Sequence, residues 1–113
     1  MAIERENKKI HVKGTVYTVK VVPASELPTN IIGNQDHTIK LIKICDFAGS
    51  DFGDPLVEFR STLRHEIVHA YLYECGLDSA LRNDPRGHDE QMVDWIAIIG
   101  PELYETWKEA DAI

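Results

Sequence analysis

Two histidines four residues apart, His65 and His69, with Glu66 directly after the first, form the pattern HExxH. On an α-helix, positions i and i+4 lie one above the other on the same face, so both imidazoles can aim a nitrogen at one point about 2 Å from each. A divalent metal, and zinc above all, fits such a point. Glu66 is rotated about 100° from His65, which places it poorly as a third ligand on that stripe. It borders the site, within reach of a water held there, and is the candidate general base.

The pattern has this meaning only on a helix, and the flanking residues supply one. Asp54 followed by Pro55 is an N-cap with proline at the first helical position. Leu56, Phe59, Leu63, Ile67, Ala70 and Tyr71 then recur at three- and four-residue steps, and Gly76 follows as the residue that ends a helix. The spacing predicts an active-site helix over about 55–75.

A catalytic zinc takes three protein ligands and leaves a fourth position to water. Glu90 and His88 are the candidates beyond His69. Asp89 can cap a helix over about 89–99 that would carry Glu90 at its start, whereas His88 lies in the preceding turn. Asp94, four residues after Glu90, shares its face and could accept the outward N–H of His65 or His69. One helix would then deliver a ligand and its support, which favours Glu90, with His88 as the alternative third ligand. For the oxyanion donor that amide hydrolysis needs, Tyr71, Tyr73, Tyr104, His88 and Arg86 are available and spacing singles out none.

The remaining elements must hold these residues. Residues 10–22 are rich in β-branched side chains and end at Pro23, reading as one or two strands with Gly14 at a turn or bulge; His11 is an ordinary strand histidine. Gly33, Asn34, Gln35 and Asp36 read as a turn cluster, and residues 37–44 as the strand that follows it, with Ile31 and Ile32 pairing as a hairpin. The N-terminal strands, over about 8–45, are expected to form a small antiparallel sheet. Gly100 and Pro101 are expected to break the ligand helix before a C-terminal helix over about 101–110 with an apolar stripe of Leu103, Tyr104 and Trp107. Strands first and helices after make an α+β fold with the helices on one face of the sheet.

Composition narrows the function class. A chain of 113 residues is one domain, able to bury roughly 60–65% of its unfolded surface. Twelve Lys and Arg against nineteen Asp and Glu give a net charge of −7, which argues against nucleic acid as a direct ligand. Arg5, Lys8, Lys9, Lys13 and Lys20 alternate with apolar residues as the solvent face of a strand would. Cys45 and Cys75 form no CxxC, no secretory apolar segment follows Met1, and no apolar run approaches the ~20 residues of a membrane span. The expectation is a cytoplasmic protein with reduced thiols and no membrane partner.

The motif residues His65-Glu66-Ile67-Val68-His69-Ala70, with Asp89-Glu90-Gln91-Met92-Val93-Asp94, resemble the HExxH…ExxxD arrangement of gluzincin zinc metallopeptidases. In particular, residues 30–100 are similar to the short ImmA/IrrE-type metallopeptidase-like proteins of phages and prophages. That resemblance implies a minimal zincin-like fold, zinc on His65, His69 and Glu90, Glu66 as base, Asp94 behind a histidine, and a bacterial host cytoplasm. It also implies that Thr38, Ile39, Lys40, Leu41 and Ile42 belong to an edge strand that binds a peptide by strand addition. A SprT-like arrangement, with a histidine as third ligand, would promote His88. The function expected is zinc-dependent peptide hydrolysis. The alternative is a non-catalytic zinc-binding structural or interaction protein, which would need a fourth protein ligand such as His88.

Overall fold

The computed structural model describes residues 6–49, 53–77 and 90–113. The β-branched run near the N-terminus folds as a hairpin. Strand β1, Lys8–Val12, pairs antiparallel with strand β2, Thr15–Val22. The two-residue turn between them holds Lys13 at φ 52° and Gly14 at φ 80°, the positive pair whose twist matches the flanking strands. Ile10, Val12, Tyr17, Val19 and Val21 are buried on one face, while Lys9 and Lys20 lie on the opposite, solvent side.

A short 3-10 turn, Ala24–Glu26, leads to strand β3, Gly33–Asp36, which pairs antiparallel with strand β4, Leu41–Cys45. The sheet order is β1-β2-β4-β3, and β4 runs parallel to β2 from Thr18↔Leu41 to Val22↔Cys45. The protein is therefore α+β, but its sheet is mixed, not antiparallel. Composition explains the order. A slot between two strands suits an apolar segment, and β4 fills it with Ile42 and Ile44, both fully buried. The polar sequence Gly-Asn-Gln-Asp of β3 could not occupy that position and goes to the edge.

This arrangement corrects two expectations. Residues 33–36, read as a turn, are a strand. Thr38, Ile39 and Lys40, read as part of an edge strand, lie in the turn that follows it, where Asp36 Oδ1 accepts from Thr38 N at 3.0 Å and Thr38 Oγ1 at 2.5 Å. Those bonds hold the Asp36 carboxyl below its ordinary range. Lys40, at φ 54°, completes the turn, and Leu41 and Ile42 sit in β4, an interior strand whose two sides are already paired. The local hydrogen bonds of an Asx turn outcompeted extension there.

Helix α1, Pro55–Glu74, starts as its sequence requires, with Asp54 Oδ1 accepting from Leu56 N at 3.0 Å and Val57 N at 3.4 Å. Phe59, Leu63, Ile67, Ala70 and Tyr71 face the sheet and join one core. Helix α2, Glu90–Glu109, runs without interruption through Gly100 and Pro101, where two helices were expected. An interior proline costs about 3 kcal/mol. Ile99, Leu103, Thr106 and Ala110 are nonetheless all buried, at steps of four, three and four that only a continuous helix presents to one side. Burying Ile99 and Leu103 stabilises by roughly 1.5–3 kcal/mol each, which outweighs the proline. Among the described residues no helix is long and apolar enough to cross a membrane, and Cys45 and Cys75 are unpaired.

A polar relay ties three elements together inside this core. Thr106 Oγ1 donates to the carbonyl of His11 at 2.8 Å, leaving its oxygen to accept from Tyr71 O–H at 2.6 Å. Burial, with the nearby Glu102 charge, pushes the Tyr71 hydroxyl above its ordinary value. Thr106→Val should lower the unfolding free energy by about 1–3 kcal/mol, since it strands a hydroxyl and a carbonyl together. Thr106→Ser should keep most of it. Denaturant melts check this, and a valine variant as stable as the parent would rule the relay out as a contributor.

Candidate metal centre

The burial of α1 on one side sets where its polar residues go. With Leu63, Ile67 and Ala70 at 1%, 0% and 0% exposure against the sheet, His65 and His69 are turned outward and exposed. Their Nε2 atoms stand 3.1 Å apart and the rings meet edge to face, with centroids 4.8 Å apart at 71°. Two nitrogens each about 2 Å from one tetrahedral metal are separated by about 3.3 Å. The separation is close to that of two nitrogens sharing a cation, and it is also that of a hydrogen bond between the two rings.

Glu66 lies one helical step round, on the flank that faces β3, and is 8% exposed. Burial raises its carboxyl above the ordinary range, opposed by the charges of His69 and His65. Gly33 at the start of β3 is its neighbour across the gap, with Thr62 one turn earlier on the same flank.

The exposed stripe continues to Tyr73, four residues after His69, where the His37 ring stacks on it with centroids 3.8 Å apart and planes at 17°. Lys40 Nζ lies 4.9 Å from the Tyr73 ring centre and 2.7 Å from Glu74 Oε2. Glu74 also accepts from Tyr17 O–H at 2.7 Å and Thr15 O–H at 3.1 Å. The 37–40 turn is thereby locked to the C-terminal end of α1. Burial would raise the Glu74 carboxyl, but the bonds from Lys40, Tyr17 and Thr15 and the Lys40 charge outweigh it and hold it below its ordinary value. The phenol of Tyr17 is pushed up, by burial first and by Glu74 second.

Of the residues expected in the site, the structure brings together His65, His69 and, on the adjoining flank, Glu66. Glu90 opens α2 and Asp94 follows one turn later, but the side chains of both lie outside the described residues, as does the whole of His88. Among the described residues no third His, Cys, Asp or Glu joins the pair in a metal-binding group. The oxyanion candidates separate. Tyr71 is buried at 1% exposure and committed to Thr106, Tyr104 sits on α2 beneath Lys108, and Arg86 and His88 lie outside the described residues. Tyr73 is the described tyrosine on the histidine stripe. His37 was not anticipated, because its approach to Tyr73 comes from the β3–β4 turn and no spacing along the chain encodes it.

No protein-family model, curated protein or solved structure matches the chain.

A carboxyl whose folded pKa is depressed contributes stability that is fully present above its unfolded value and is lost as pH falls through the folded one. Glu74→Gln should therefore destabilise the protein at neutral pH by about 2 kcal/mol, and the gap from the parent should close as acid protonates the parent carboxylate. Thermal melts across pH 3 to 7 report it. An undiminished gap at pH 3 would contradict the ionised role of Glu74.

Proposed function

We propose that the chain is a zinc-dependent metallopeptidase with Glu66 as general base. The observation that carries this reading is the 3.1 Å separation of the His65 and His69 Nε2 atoms on an exposed helix face, with the Glu66 carboxylate on the adjoining flank. In this reading His65 and His69 hold the metal and Glu90, at the start of α2, completes the protein shell. Asp94 accepts the outward N–H of a ligating histidine and fixes its tautomer. A bound zinc ion supplies Lewis acidity, polarising the scissile carbonyl and easing deprotonation of water.

Glu66 takes a proton from the attacking water as its oxygen adds to the carbonyl carbon, then gives that proton to the amide nitrogen as the C–N bond breaks. In the metal-free protein burial favours proton uptake by Glu66, the direction that suits a group accepting a proton from water. The substrate is an extended peptide. Among the described residues β3 is the sheet edge beside Glu66, so a peptide paired along its outer side would run beside the helix flank that carries the carboxylate. The strand-addition role thus belongs to residues 33–36. The resemblance to ImmA/IrrE-type proteins implied strand addition but placed it at residues 38–42, and the reduced thiols of Cys45 and Cys75 fit a cytoplasmic setting.

Glu66→Gln should retain zinc, measured by atomic absorption, and lose about a hundredfold or more of the cleavage of a quenched fluorescent peptide library. Glu90→Ala should lose the metal, and Asp94→Ala should weaken its binding by about 10- to 100-fold. Unchanged cleavage by a zinc-loaded Glu66→Gln chain would refute the assignment. A closed structural site predicts instead that Glu66→Gln is silent while chelation unfolds the protein.

A further inference from the structure

We propose that Gly33 is a positioning residue for Glu66: the missing side chain at this strand position lets β3 lie against the helix flank that carries the carboxylate and sets where that carboxylate sits. The inference rests on Glu66 being the general base, and it concerns how that base is aimed. Among the described residues no hydrogen-bond donor is paired with Glu66, although it is 8% exposed. A catalytic carboxylate is usually oriented by such donors. The close approach of β3 is a steric constraint on Glu66.

The close approach is specific. A Cβ built at Gly33 would stand 2.8 Å from Thr62 Cγ2, 3.2 Å from Glu66 Cγ and 3.2 Å from Ile44 Cδ1. Thr62 and Glu66 are one turn apart on α1, and Ile44 is the cross-strand partner of Gly33. Gly33 is not among the residues with positive φ, so its backbone would admit any side chain. Glycine is needed for proximity, not for conformation. The contact that presses on Glu66 falls on Cγ, the atom from which the carboxylate hangs, so a few tenths of an ångström there swing the oxygens further.

Plain packing of strand on helix is the competing explanation, and the two contacts separate them. The hardest clash is with the Thr62 methyl, which serine lacks. Gly33→Ala/Thr62→Ser therefore removes the hardest of the three contacts and leaves the push on Glu66 Cγ in place. Zinc-loaded parent, Thr62→Ser, Gly33→Ala and the double variant would be compared by melting temperature, zinc content, peptide-library kinetics and the side-chain 13C signal of Glu66, assigned with Glu66→Gln.

The expected result is a double variant that melts within a few degrees of Thr62→Ser with parental zinc content, a displaced Glu66 signal, and kcat down by about tenfold or more at unchanged KM. Thr62→Ser alone should match the parent in zinc content, kinetics and Glu66 signal, with a slightly lower melting temperature for the lost buried methyl. A Glu66 signal at its parental position in the double variant, or kcat recovering together with the melting temperature, would overturn the proposal. Should serine leave the strand strained, Thr62→Ala gives more room for the same comparison. A displaced signal combined with parental cleavage by Glu66→Gln would support the positioning of the side chain while refuting its role as base, so the two ideas fail separately.

Discussion

The seating of α1 on the sheet is the constraint from which the rest of the molecule follows. Leu63, Ile67, Ala70 and Tyr71 form its buried side, and burying the three larger side chains stabilises by roughly 1.5–3 kcal/mol each. A helix has one rotation that satisfies such a stripe. Once it is set, the histidines one step round must face outward and Glu66 must face the flank where β3 runs. Turning α1 by one residue would drive an imidazole into the core and expose Ile67. The polar residues are thus aimed by apolar ones.

Elements far apart in the chain then close around that helix through polar contacts of high sequence separation. Lys40 reaches Glu74 across 34 positions, Tyr17 reaches it across 57, and Thr106 reaches the His11 carbonyl across 95. Arg64 adds a fourth, donating to the Ala112 carbonyl at 2.8 Å and drawing the C-terminal residues onto the helix, where Ala112 is fully buried. Three of these contacts fasten a segment to α1, namely the 37–40 turn, the β1–β2 hairpin and the last residues, while the Thr106 bond ties α2 to β1. The histidine face is left out of this web and stays exposed.

Much of this was legible along the chain because it is local. The cap at Asp54, the proline after it and the periodic apolar residues of α1 act within a few positions, and the Lys13 and Gly14 turn is set by its own backbone angles. Sheet order was not legible, since it depends on which of two neighbouring segments, Gly-Asn-Gln-Asp or Leu-Ile-Lys-Ile-Cys, gains more from the interior slot. The strand expected at 37–44 began four residues early because the Asp36 and Thr38 side chains make a turn more favourable there than extension. Gly100 and Pro101 misled for the converse reason: their local preference to break a helix was overridden by the burial of Ile99 and Leu103 on either side. At the candidate site, the i, i+4 histidines follow from helical geometry, while Gly33 and His37 reach it through strand pairing that no spacing encodes.

The shortness and polarity of β3 have a consequence for self-association. An unpaired strand edge is a template for aggregation, and proteins blunt such edges by keeping them brief or charged. Four residues with no apolar side chain among them, ended by the aspartate of an Asx turn, are poor material for pairing with another copy. A four-residue edge also turns about half of its backbone groups outward, so it offers about four hydrogen bonds to any visiting strand. The grip is weak by construction, and a visitor held so lightly leaves quickly.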